Sequence, residues 1–101
     1  MTYECHITIA LHPVSAEALI TSLGWKFSCI HGDPDLGIGA REYATRHAAV
    51  GTPITQVILE IQRISGILLA QGFPVLREKI ELVMYDVYLN KESPNATQSM
   101  A

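Results

Sequence analysis

Between Thr52 and Gly72, the residues Ile54, Val57, Ile58, Ile61, Ile64, Ile67 and Leu68 recur at intervals of three and four, while Gln56, Glu60, Gln62 and Arg63 fall mostly on other faces. That spacing makes a broad apolar stripe along an α-helix, and the stripe has to be buried against another element. Thr52 is expected as the N-cap, Pro53 at the first helical position, and Gly72 as the stop. Gly66 inside the helix is either a tolerated defect or a point of close packing.

What lies against the stripe is legible in the segments around it, because they change period from four to two. From Thr2 to Leu11, Cys5, Ile7 and Ile9 alternate with Glu4, His6 and Thr8, which is the pattern of a strand with one buried and one polar face. His12-Pro13 ends it. Pro13 suits the first turn of a short helix, in which Ala16, Leu19, Ile20 and Leu23 share a stripe and Gly24 provides a left-handed cap. Trp25 to Ile30 alternates again, with Trp25, Phe27 and Cys29 on the buried side and Lys26 and Ser28 on the other.

His31 to Gly39 is dense in glycine, aspartate and proline and reads as a turn-rich connection. Asp33 and Asp35 fall short of the ligand count of a calcium loop. Arg41 to Val50 is ambiguous by propensity. We read it as a strand, because Tyr43, Thr45 and His47 alternate, and a helix ending at Gly51 would run straight into the next helix start. After Phe73-Pro74, a last strand from Val75 to about Tyr85 turns Leu76, Ile80, Leu82 and Met84 one way and Arg77, Lys79 and Glu81 the other. Residues 90–101 lack an apolar stripe and are expected to be a flexible polar tail beyond a single domain spanning 1–89.

With 101 residues, 49% of them hydrophobic, the chain is long enough for one modest core without a metal or disulfide staple. It contains no apolar run long enough to span a bilayer and no signal-peptide pattern at its start, so the expected setting is soluble and cytoplasmic, with Cys5 and Cys29 reduced. A formal charge of −3 offers no general attraction to nucleic acid or to a membrane surface, and neither is expected as a partner. No spacing of histidine and cysteine suggests a metal site, and no cofactor is expected.

The order strand, helix, strand, strand, helix, strand is that of a ferredoxin-like α+β two-layer sandwich, a four-stranded antiparallel sheet with both helices on one face. In that arrangement the first and third strands are central, and the second face of the sheet is left open. The open face would carry Glu4, His6 and Thr8 in the middle, Tyr43, Thr45 and His47 beside them, Lys26 and Ser28 at one edge, and Arg77, Lys79 and Glu81 at the other. Two imidazoles among hydroxyls and cations suit an anionic ligand. His6 and His47 are the candidates for proton transfer near neutral pH, and the remaining residues are candidates for ligand contact. Cys5 and Cys29 would be small core residues separated by a strand, and His12 and His31 surface residues at strand ends.

His6-Ile7-Thr8 resembles the H-x-T/S motif of the two-histidine phosphoesterases, whose paired motifs lie on ferredoxin-like halves and hydrolyse cyclic or 2′,5′-linked nucleotide phosphates. The resemblance implies phosphoester chemistry with His6 and Thr8 at the phosphate. Those enzymes carry two such motifs in a longer chain. Here His47 is followed by Ala48-Ala49, and Thr45-Arg46-His47 has the residue types in reverse order.

Two functional readings follow. In the first, the open face binds a small molecule bearing phosphate or carboxylate, or performs phosphoester-type chemistry on it. In the second, the protein is a non-enzymatic assembly module that pairs with a copy of itself or another protein through the face or a sheet edge, with Tyr43 and Tyr85 as anchors. RNA recognition is the weaker use of such a face, since Tyr43 is nearly its only aromatic platform.

Overall fold

Six elements alternate along the chain: β1 (Thr2–Ala10), α1 (Glu17–Ser22), β2 (Lys26–Ile30), β3 (Arg41–His47), α2 (Ile54–Ala70) and β4 (Val75–Val83). The computed structural model describes residues 2–32, 35, 37 and 39–84; the expected polar tail and Tyr85 lie outside the described residues. The strands form one sheet in the order β2-β3-β1-β4, with every neighbouring pair antiparallel. This is the ferredoxin-like α+β arrangement, and Arg41 to His47 is a strand.

Both helices cover the sheet face defined by Cys5, Ile7 and Ile9. The core joins these to Ala44 of β3, Ala16 and Ile20 at α1, Val57, Ile61, Ile64 and Leu68 of α2, and Trp25 and Phe73 at the connections. Each fully buried isoleucine or leucine contributes about 1.5–3 kcal/mol relative to exposure, so this cluster drives the two layers together. Gly24 and Gly72, at φ +80° and +89°, end α1 and α2 as expected. Gly66 has open space where a Cβ would stand, which removes the close-packing reading.

Several boundaries differ from the sequence reading, each for a local reason. Pro13 does not open α1. Val14 N–H is turned back to His12 Nδ1 at 3.2 Å, and the helix starts later, where Glu42 of β3 accepts hydrogen bonds from Ala16 N–H (2.9 Å) and Ser15 Oγ (2.6 Å). His12 itself is half-buried, its ring 5.1 Å from that of Phe73. Thr52 does not cap α2, because its hydroxyl donates to Ala49 O at 2.7 Å; Pro53, in extended conformation, is the N-cap.

Cys29 is exposed rather than buried, since β2 is an edge strand and the short α1 covers Trp25 and half-covers Phe27 without reaching the far end. The cysteines are both free, with β3 between their strands. On β4 the register slips between Thr8, opposite Arg77, and Ile9, opposite Val75. Leu76 is therefore the extra residue of a bulge and 49% exposed, and Val75 takes the place opposite Ile9. Leu82 and Met84 are also exposed, whereas Ile80 packs against the core as expected.

Candidate functional site

Strand parity places all the candidate residues on the uncovered face, in three rows across the sheet. The middle row runs Lys26, Thr45, His6, Lys79; the next runs Ser28, Tyr43, Thr8, Arg77; and on the other side His47 and Glu81 flank Glu4. Directly opposed residues in antiparallel strands share a face about 4.5–5.5 Å apart, so these rows bring side chains from distant parts of the chain into contact.

The contacts that form are selective. Glu4 bridges the two imidazoles, with Oε1 at 2.8 Å from His6 Nε2 and Oε2 at 2.8 Å from His47 Nε2. His6 Nε2 also lies 3.3 Å from Glu81 Oε1, and that oxygen receives the Lys79 ammonium at 2.7 Å. The second nitrogen of His6, Nδ1, is 3.2 Å from Thr45 Oγ1. The result is a chain His47, Glu4, His6, Glu81, Lys79 in which carboxylates alternate with nitrogen bases. The ammonium of Lys79 holds the Glu81 carboxyl below its ordinary range, with smaller contributions from the charges of His6 and Arg77.

This pattern separates the roles of the two histidines. Both ring nitrogens of His6 are engaged, and its side chain is only 23% exposed, so it is a hub of the network. His47 is engaged through Nε2 alone, is 46% exposed, and keeps Nδ1 without a partner among the described residues. Of the cations, Lys79 is paired, whereas Lys26 and Arg77 make no ion pair among the described residues. Thr8 is buried, Tyr43 is half-buried, and neither joins the network; Ser28 lies beyond it toward the β2 edge. Among the described residues, no group of three or more histidine, cysteine, aspartate or glutamate side chains is arranged to hold a metal ion.

A cleft of about 380 Å³ opens at the end of this face, lined by Glu4, Gly24, Lys26, Thr45, Arg46 and His47. Arg46 was not a sequence candidate. Opposite Cys5, it belongs by parity to the helix side, but as the penultimate residue of β3 it reaches the sheet end. Its guanidinium stands 3.8 Å from Glu60, a long contact, because Glu60 already takes two hydrogen bonds from Arg63, at 2.8 and 3.1 Å. Arg46 also lines a second cleft of about 280 Å³ on the helix side, with Cys5, Trp25 and Glu60 among its walls. Burial pushes the Cys5 thiol above its ordinary range, and the charge of Arg46 opposes the shift only in part.

No helix among the described residues is long and apolar enough to cross a membrane. Compared with protein-family models, with curated proteins and with solved structures, the chain finds no match.

Proposed function

We propose that the cleft at the end of the open face binds a small anionic molecule, one bearing a phosphate or carboxylate group. The observation that carries this reading is the meeting of Lys26, which has no ion pair among the described residues, and His47, with a ring nitrogen that has no partner among them, around one cleft. Thr45 adds a hydroxyl. Charge-assisted hydrogen bonds of the kind an ammonium makes are the strong ones in anion recognition. The volume lies at the lower end of small-molecule sites, which suits a compact ligand.

Glu4 has a double role in this reading. It holds His47 through Nε2, which leaves Nδ1 for the ligand, and it repels an anion that approaches too deeply. Phosphoester chemistry of the kind implied by His6-Ile7-Thr8 would need His6 at the ligand, but both His6 nitrogens are held by protein groups. Binding is therefore favoured over hydrolysis, with His47 offering its second ring nitrogen to the ligand.

Titration of the isotopically labelled protein with inorganic phosphate and with phenyl phosphate, followed by NMR, tests the proposal. Saturable shifts are expected at Lys26, Thr45 and His47, weakened about tenfold by Lys26→Ala or His47→Ala, the loss of one hydrogen-bonded contact to the anion. Shifts that stay linear with ligand concentration, or that ignore both substitutions, would refute it.

A further inference from the structure

The sheet ends on β4, and no strand among the described residues lies beyond it. Along this edge, Leu76 and Leu82 are each 49% exposed and Met84 is 77% exposed. Sheet edges that stay free are commonly short, covered, bulged or charged; β4 carries one bulge and four charged residues, yet it runs nine residues with Leu76 and Leu82 half-exposed. Its charges are also ordered: Arg77, Lys79 and Glu81 follow one another on the open face, with Glu78 on the other.

A second copy of the same chain can be tested against this pattern. Two β4 strands related by a two-fold axis meet antiparallel, and residues placed opposite each other must share a face, so the axis passes through a residue. Centred on Glu78, the pairing opposes Glu78 to itself and Lys79 to Arg77. Centred on Lys79 or on Glu81, it opposes that residue to its own copy. Like charges directly opposite are destabilising. Centred on Ile80, the pairing sets Lys79 against the partner's Glu81 and Glu81 against the partner's Lys79. Ile80 then meets its own copy, Leu82 lies opposite the partner's Glu78, and no like charges are opposed.

We propose that β4 is a homodimerisation edge, along which two copies pair antiparallel about a two-fold axis at Ile80 and continue their sheets into one. The open face and its cleft stay uncovered in this dimer, so assembly and anion binding are separate properties that stand or fall independently. Leu76, Leu82 and Met84 leave water on association, and the Lys79–Glu81 pair selects the register.

Sedimentation equilibrium of the full chain from roughly 1 to 100 μM is expected to return twice the chain mass at the upper end. Lys79→Glu places two glutamates opposite Glu81 residues of the partner, and Glu81→Lys opposes lysines in the same way. Each single variant is expected to weaken association about tenfold while remaining folded by circular dichroism. An equimolar mixture of the two variants restores complementarity at both positions and is expected to recover the dimer as a heterodimer, as is the double variant with itself. A chain that stays monomeric across the range overturns the dimer. Single variants that associate as well as the parent, or a mixture that does not recover, overturn the Ile80 register.

Discussion

Glu4 and His6 stand two residues apart on β1, share a face by strand parity, and are joined at 2.8 Å, while the other oxygen of Glu4 holds His47 at the same distance from β3. One carboxylate thus holds an imidazole on its own strand and reaches the neighbouring central strand through His47. Glu4→Gln keeps the size but leaves only one accepting oxygen. The expected outcome is a loss of about 1 kcal/mol in urea unfolding, modest because the groups are partly exposed, together with faster ring motion of His47 by NMR relaxation. An unchanged unfolding midpoint would mean the bridge is not populated in solution.

Glu42 is the carboxylate buried among the described residues, and it accepts from Ala16 N–H and Ser15 Oγ where α1 begins. Its removal leaves a buried N–H without an acceptor. Glu42→Ala is expected to cost about 2 kcal/mol, near the upper range for loss of a helix cap, and Glu42→Gln, which retains one acceptor, about half as much. Hydrogen exchange at Ala16 reads the same event locally, rising in both variants.

Ser65 sits on the buried side of α2 with its hydroxyl lacking a hydrogen-bond partner. Deleting an unsatisfied buried hydroxyl removes a desolvation cost and creates only a small void. Ser65→Ala is therefore expected to raise stability by about 1 kcal/mol, aided by the higher helix propensity of alanine, with a corresponding rise in thermal midpoint.

Glu60 and Glu81 have carboxyls held below their ordinary range, Glu60 chiefly by the hydrogen-bonded Arg63 and Glu81 chiefly by Lys79. A carboxyl depressed in the folded state contributes stability that is complete above its unfolded value, near 4.5, and is lost as pH falls through the lower folded value. Stability is expected to decline from about pH 4.5 downward. Glu60→Gln should flatten part of that decline, by a few tenths of a kcal/mol as befits an exposed helical pair. Identical acid profiles for parent and variant would count against the Glu60–Arg63 pair as a source of the decline.

Strand alternation in β1 and the three-and-four spacing of α2 were sufficient for the fold, because each pattern matches only one regular element with one face to bury. The open face followed from the same parity: Lys26, Thr45, His6 and Lys79 fall in one row because strand order and side-chain period together dictate it. β3 was harder to read for a physical reason visible in the structure. Its helix-side positions are Glu42, Ala44 and Arg46, so the apolar alternation of a strand is absent. Glu42 caps α1 from across the sheet, and Arg46 sits at the sheet end, facing Glu60. Neither use leaves a local signal in sequence, since both partners lie on other elements.

The amino-acid sequence thus determined the elements, their order and which residues share the uncovered face, since periodicity is a local property of the chain. Only the tertiary structure decided which of those residues act together. Distances along and across strands spend the nitrogens of His6 on carboxylates and the Thr45 hydroxyl, and the ammonium of Lys79 on Glu81, while His47 Nδ1 and Lys26 stay available. Strand position, rather than parity, brings Arg46 to the same cleft, and the slip at Leu76 leaves apolar side chains along the β4 edge. These are consequences of register and reach, which depend on residues far apart in the chain.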